Sequence, residues 1–148
     1  SSIEDRITGF RRALRDYDLD YTDQNLFVYD GDMDDKKLFS RLFKFIKDNN
    51  ISAIVALNDY VALRIMKMCT QKKIDIPADL SLIGFDNRGL TEHLSIPLTT
   101  IAQYPELIGE RAIKLLIEII NEQEDLIHKI YCPTKLIERE SCTEKKRD

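Results

Sequence analysis

The chain has 148 residues, 43% of them hydrophobic, which suffices for one compact core or one lobe of a larger molecule and excludes disordered and fibrous classes. Lys and Arg total 22 against 26 for Asp and Glu, a formal net charge of -4, so this segment is not expected to hold DNA by broad attraction to phosphates. Its longest apolar runs, such as Ile54-Val55-Ala56-Leu57, fall far short of the roughly 20 residues of a membrane span, and the amino terminus lacks the basic start and apolar stretch of a secretory signal, so the cytoplasm is the expected address.

From Ile3 to Tyr17 the apolar residues Ile3, Ile7, Phe10, Leu14 and Tyr17 recur at helical spacing, and Ser2 stands three residues before Asp5 as in a capping box. Leu26 to Tyr29 reads as a brief strand. A helix follows from Asp34, with Leu38, Phe39, Leu42, Phe43 and Ile46 on one face, and Asn49-Asn50 stops it. Ile51 to Leu57 is nearly all apolar, as in a strand covered on both faces of a parallel sheet. Asn58-Asp59 ends that strand and caps a helix expected from Tyr60 to Lys73. A second buried strand runs from Leu80 to Phe85, closed by Asp86-Asn87. The chain then shows a loop from Arg88 to Pro97 and a short strand from Thr99 to Ile101. A helix from about Pro105 to Asn121 and a last strand from Lys129 to Ile137 complete it.

Strands alternating with helices give an α/β fold, a parallel sheet with helices on both faces. The first helix should follow a strand that would precede Ser1, so the fold is expected to be incomplete at its amino-terminal end. In such sheets ligands bind beyond the carboxyl ends of the strands. That rule selects Asn58 and Asp59 after one strand, Asp86 and Asn87 after another, and Arg6 in the first turn of the first helix. A carboxylate, a guanidinium and a carboxamide together can read neighbouring hydroxyls. Asn58 and Asp86 suit capping and turns equally well, and Arg6 taken alone reads as a solvated charge.

Several stretches resemble, in order, the effector-binding domain of the lac and gal repressor family. They are Arg6-Ile-Thr-Gly-Phe-Arg-Arg-Ala-Leu14, Ala53-Ile-Val-Ala-Leu-Asn-Asp-Tyr-Val-Ala-Leu63, Ile76-Pro-Ala-Asp-Leu-Ser-Leu-Ile-Gly-Phe-Asp86 and Pro97-Leu-Thr-Thr-Ile-Ala-Gln103, then Gly109 and Leu136-Ile-Glu-Arg-Glu-Ser141. The resemblance implies a periplasmic-binding-protein-like lobe, with residues 1–101 and about 129–143 in the carboxyl-terminal lobe and about 102–128 belonging to the other. A sugar or related metabolite would bind between lobes and alter DNA binding by an attached domain. It implies ligand contacts at Arg6, Asn58 and Asp86. Ser2 falls at a polar ligand position in several members, with its capping role an equal alternative, and Gln103 falls at the crossover, as hinge or ligand contact.

Met33 departs from the pattern, since its position often carries a Phe or Trp that packs on the ligand ring, and the chain has no Trp. A smaller or differently oriented ligand, such as a pentose, would accommodate the change. Arg64 replaces a common Gly. The Tyr60 to Lys73 helix and the Arg88 to Pro97 loop are implied dimer contacts, and the Pro105 to Asn121 helix, short of packing partners, is expected to dock on a second copy by domain swapping.

Enzymatic chemistry is not expected. No Gly-x-Ser-x-Gly elbow, P-loop or dinucleotide fingerprint occurs, and no cofactor is implied. Asp30-Gly-Asp-Met-Asp34 begins like a calcium loop, but Asp35 and Arg41 occupy the required glycine and glutamate positions, and His93 and His128 lack spaced partners, so no metal is expected. Cys69, Cys132 and Cys142 read as reduced thiols. The competing reading is a sugar-binding protein of a transport system with the same fold.

Overall fold

A computed structural model describes residues 3–122 and 130–144. The elements run α1 (Ile3–Asp16), α2 (Asp35–Asp48), β1 (Ala53–Val55), α3 (Asp59–Lys72), β2 (Ser81–Asp86), β3 (Thr99–Ala102), α4 (Pro105–Glu122) and β4 (Lys135–Ile137). Short 3-10 turns occupy Asp23–Asn25 and Gly89–Glu92. The sheet order is β1-β2-β3-β4. The first three strands are parallel, with Ala53 opposite Ser81 and Ile83 opposite Thr99, whereas β4 runs antiparallel to β3, Ile101 facing Leu136.

Local chemistry sets the helix limits. Asp34 accepts from the Lys37 N–H at 3.0 Å and starts α2, and Asn58 accepts from the Val61 N–H at 2.9 Å and starts α3. The three helices α1, α2 and α3 end alike, each with a non-glycine residue in the left-handed region: Asp18 (φ 53°), Asn50 (φ 51°) and Lys73 (φ 54°). The next residue is apolar, and its N–H returns to the last turn, Leu19 to Leu14 at 2.8 Å, Ile51 to Ile46 at 3.0 Å and Ile74 to Cys69 at 2.9 Å.

The core lies between α2, α3 and the sheet: Leu38, Phe39 and Leu42 meet Ala62, Ile65, Met68 and Cys69 over Leu80, Leu82 and Leu98. Arg64, largely buried beside Tyr29 at the margin of this core, ties two helices together. Its Nε donates to Asp35 Oδ1 at 2.8 Å and its Nη2 to the Met33 carbonyl at 2.9 Å, so the residue that replaces glycine links α3 to the entry of α2.

Four expectations need correction. Leu26 to Tyr29 belongs to no strand of this sheet: Phe27 and Tyr29 pack on the core and Val28 is 68% exposed, so the apolar alternation is real, but no ladder partner stands beside it among the described residues. The strand expected over Ile51 to Leu57 shrinks to Ala53–Val55, an edge strand among the described residues, and it is not covered on both faces, since Val55 is 56% exposed. The sheet is mixed at its last strand, since β4 returns antiparallel to β3. That strand begins at Lys135, and Lys129 lies outside the described residues. Along α4 the side chains of Ile113, Leu116, Ile117 and Ile120 are all more than half exposed.

Candidate ligand site at the carboxyl edge of the sheet

Because β1, β2 and β3 are parallel, their carboxyl ends share one edge, and the chain leaves them at Leu57-Asn58, Asp86-Asn87 and Gln103. Arg6 reaches that edge from the first turn of α1. Its guanidinium donates to the Leu57 carbonyl and lies over the Phe85 ring, 3.9 Å from the centroid. One side chain thus bridges the ends of β1 and β2.

Asn58 both caps and faces the edge. Its Oδ1 serves the Val61 N–H, and its amide N–H groups are the donors it can offer a ligand. Asp86 closes β2 with φ 116°, and Asn87 follows with φ 55°. A non-glycine residue at such a φ costs of order 1–3 kcal/mol and persists only where its surroundings fix it. Here Gln103 does so, its Nε2 donating to Asp86 Oδ1 at 2.7 Å.

Beside Asp86 opens a hollow of about 610 Å³ lined by Asp86, Asn87, Arg88, Gln103, Tyr104 and Glu106, with Ala102, Pro105 and Ile108 supplying apolar surface. That volume falls in the usual range of small-molecule sites. Carboxylates, a guanidinium and an amide around one hollow can donate to and accept from adjacent hydroxyls.

Asp59, expected beside Asn58 on the edge, lies instead beneath it, in a network whose partners the sequence did not single out. Asp59 is fully buried, and its carboxylate accepts from Thr100 Oγ1 at 2.6 Å and from the Arg88 N–H at 2.8 Å. Burying a charge is tolerable only with such partners. Gly84 makes the room: a Cβ there would lie 2.3 Å from Asp59 Oδ1 and 2.8 Å from Leu98 Cδ2. The Asn-Asp pair therefore divides its labour, Asn58 at the cap and edge, Asp59 inside. Its sequence signal was Gly84 interrupting an apolar strand, which marks a close approach.

Arg6, Asn58, Asp86 and Gln103 thus share one edge, but only Asp86 and Gln103 of these line the hollow of about 610 Å³. Gln103 acts there as a partner of Asp86. Met33 is placed elsewhere, on a second hollow of about 300 Å³ with Asp30, Asp32, Asp34 and Lys37. The acids of that loop serve local structure: Asp30 accepts from the Asp32 N–H at 3.2 Å, and Asp34 caps α2. Ser2 lies outside the described residues.

Residues 1–142 match a periplasmic binding protein-like domain. The HTH-type transcriptional repressor PurR of Vibrio cholerae is 32% identical across 95% of this chain and 42% of its own length. Among solved structures, the complex of the transcriptional regulator CelR with cellobiose superposes with a TM-score of 0.77 at 26% identity, covering 92% of this chain and 41% of that one. A LacI family transcriptional regulator from Enterococcus faecium with bound ribose gives a TM-score of 0.75 at 27% identity, covering 95% of this chain and 51% of the other. The chain spans about half or less of each of these proteins.

Proposed function

The chain belongs to the periplasmic binding protein-like domain family, in the LacI-type group of effector-binding domains, and from that premise we propose that it senses a sugar or related small metabolite for a transcription regulator. The ligand sits at the carboxyl edge of the sheet. Asp86 accepts from its hydroxyls, Arg6 and the Asn58 amide donate to them, and Gln103 fixes Asp86. The observation that carries this reading is Asp86, strained in its backbone, its carboxylate held by Gln103, and lining a hollow of about 610 Å³.

The relatives described above are named as regulators, and two of them hold cellobiose or ribose. That favours regulation over catalysis and over transport. The regulator acts in the cytoplasm, and its DNA contacts come from an attached domain outside this chain. Occupancy of the site shifts the population of DNA-binding geometries. Residues from about 102 to about 128 belong to a second lobe that completes the cleft, with residues 1–101 and about 129–143 forming the first. The regulator works as a homodimer through α3 and the 88–97 loop, where Tyr60 and Leu90 are 63% and 60% exposed. In the isolated chain, the exposed apolar side chains of α4 dock on a second copy by domain swapping.

The test is a calorimetric panel of pentoses, hexoses, disaccharides and nucleosides on the full-length protein. Saturable binding of a sugar supports the reading. Failure of every compound, with alanine tolerated at Arg6, Asn58 and Asp86, would leave an interaction lobe without a ligand.

A further inference from the structure

Arg139, in the Leu136–Ser141 stretch after β4 begins, takes no part in the edge described above, yet it is among the most heavily bonded side chains near it. Its side chain is 13% exposed. Nη1 donates to the Leu98 carbonyl at 2.7 Å and to Thr91 Oγ1 at 3.3 Å, and Nη2 donates to Asn87 Oδ1 at 2.9 Å. Glu92 Oε2 stands 3.7 Å from Nη2, and the Arg139 backbone N–H donates to Thr99 Oγ1 at 2.9 Å.

We infer that Arg139 is a positioning residue for the ligand, acting through Asn87 to hold the Asp86-Asn87 turn in the conformation that aims the Asp86 carboxylate into the cleft. The inference rests on the ligand-sensing reading for what Asp86 does, and on geometry alone for how Asp86 is held.

Three successive residues of this turn are each gripped by a different element. Gln103, just past β3, holds the Asp86 side chain, Arg139 holds the Asn87 side chain, and Asp59 of α3 holds the Arg88 N–H. Two of the three gripped residues have positive φ, so the turn would relax toward ordinary backbone if the grips were released. The guanidinium suits the task because its planar fork reaches acceptors in fixed directions at once, which a lysine cannot do. Its hydrogen bonds go to Asn87, Thr91 and Leu98, so it acts on the turn from behind.

The experiment uses the full-length protein with Arg139→Gln, Asn87→Gly and Asn87→Asp. Glycine keeps the positive φ at 87 and removes the acceptor, whereas aspartate keeps both. Hydrogen exchange over residues 86–92 is read alongside calorimetry with D-ribose and cellobiose. Arg139→Gln and Asn87→Gly should each speed exchange in the turn and weaken sugar binding about tenfold or more, with the double variant no worse than either single, as for two ends of one interaction. Asn87→Asp should restore slow exchange. Unchanged exchange in Arg139→Gln and Asn87→Gly, or losses in sugar affinity that add in the double variant, would overturn the inference. Should the wild-type protein bind neither sugar, the exchange result alone decides the positioning role, and the ligand panel decides the sensing role separately. If Arg139→Gln fails to fold, the contrast between Asn87→Gly and Asn87→Asp carries the test.

Discussion

Replacing Gly84 by alanine adds one methyl group to the middle of β2, and its effect can be worked from the distances around it. The backbone at Gly84 is not in the left-handed region, so alanine is allowed there, and the loss of unfolded-state freedom would by itself stabilise the fold by about 0.4–1 kcal/mol. The new Cβ would lie 2.3 Å from Asp59 Oδ1, 2.8 Å from Leu98 Cδ2 and 3.3 Å from Thr100 Oγ1. Ordinary contact demands that the carboxylate retreat by roughly 1 Å. Its bonds to Thr100 Oγ1 at 2.6 Å and to the Arg88 N–H at 2.8 Å then open beyond hydrogen-bonding range on a fully buried group. Hydrogen bonds to a charged group contribute about 1.5–3 kcal/mol each, and overpacking costs about 1–3 kcal/mol. The net expectation is a destabilisation of about 3–9 kcal/mol, a large part of the total for a domain of this size. Urea unfolding followed by circular dichroism measures it. A loss below about 1 kcal/mol would mean that Asp59 is not held as described, and the reasoning would fail.

Two other variants separate roles that coincide in the sequence. Asn58→Ser keeps an acceptor for the Val61 N–H but removes the amide donors, so it should leave stability within about 0.5 kcal/mol while sugar affinity falls, whereas Asn58→Ala should also lose about 1 kcal/mol of stability. Equal sugar affinity in Asn58→Ser and wild type would remove Asn58 from the ligand contacts. Burial pushes the Cys69 thiol from 9.0 up to about 11, so at pH 8 it is almost wholly protonated in the fold. In a Cys132→Ser, Cys142→Ser background a thiol reagent should therefore label Cys69 only as fast as the fold opens, and labelling at the rate seen in urea would contradict its placement.

The alternation of elements was legible because hydrophobic periodicity and capping residues are local properties. Asp34, Asn58 and Asn50 start or stop helices through bonds to residues a turn away. The edge itself was legible because parallel strands place their following residues together whatever the details of packing. What escaped was long-range. Thr100 meets Asp59 and Arg139 meets Asn87 across forty-one and fifty-two residues of sequence, and no spacing rule encodes such a meeting. Gln103 was open between hinge and ligand contact because only the structure shows which side chain its amide faces. Leu26 to Tyr29 shows the converse: the alternation that suggests a strand reports which side chains pack, not whether a neighbour supplies hydrogen bonds. The apolar wording of Ile51 to Leu57 likewise signals a strand built for burial, while Val55 stands exposed at the sheet edge.

Asp86 is the residue on which the proposed ligand site depends most. The most direct test is calorimetric titration of the full-length protein and its Asp86→Ala variant with the best sugar from the panel, with unfolding measured in parallel. Asp86→Ala is expected to weaken sugar binding by at least about a hundredfold, roughly 2.7 kcal/mol, while the variant stays folded. A folded variant that binds the sugar as tightly as wild type would contradict this.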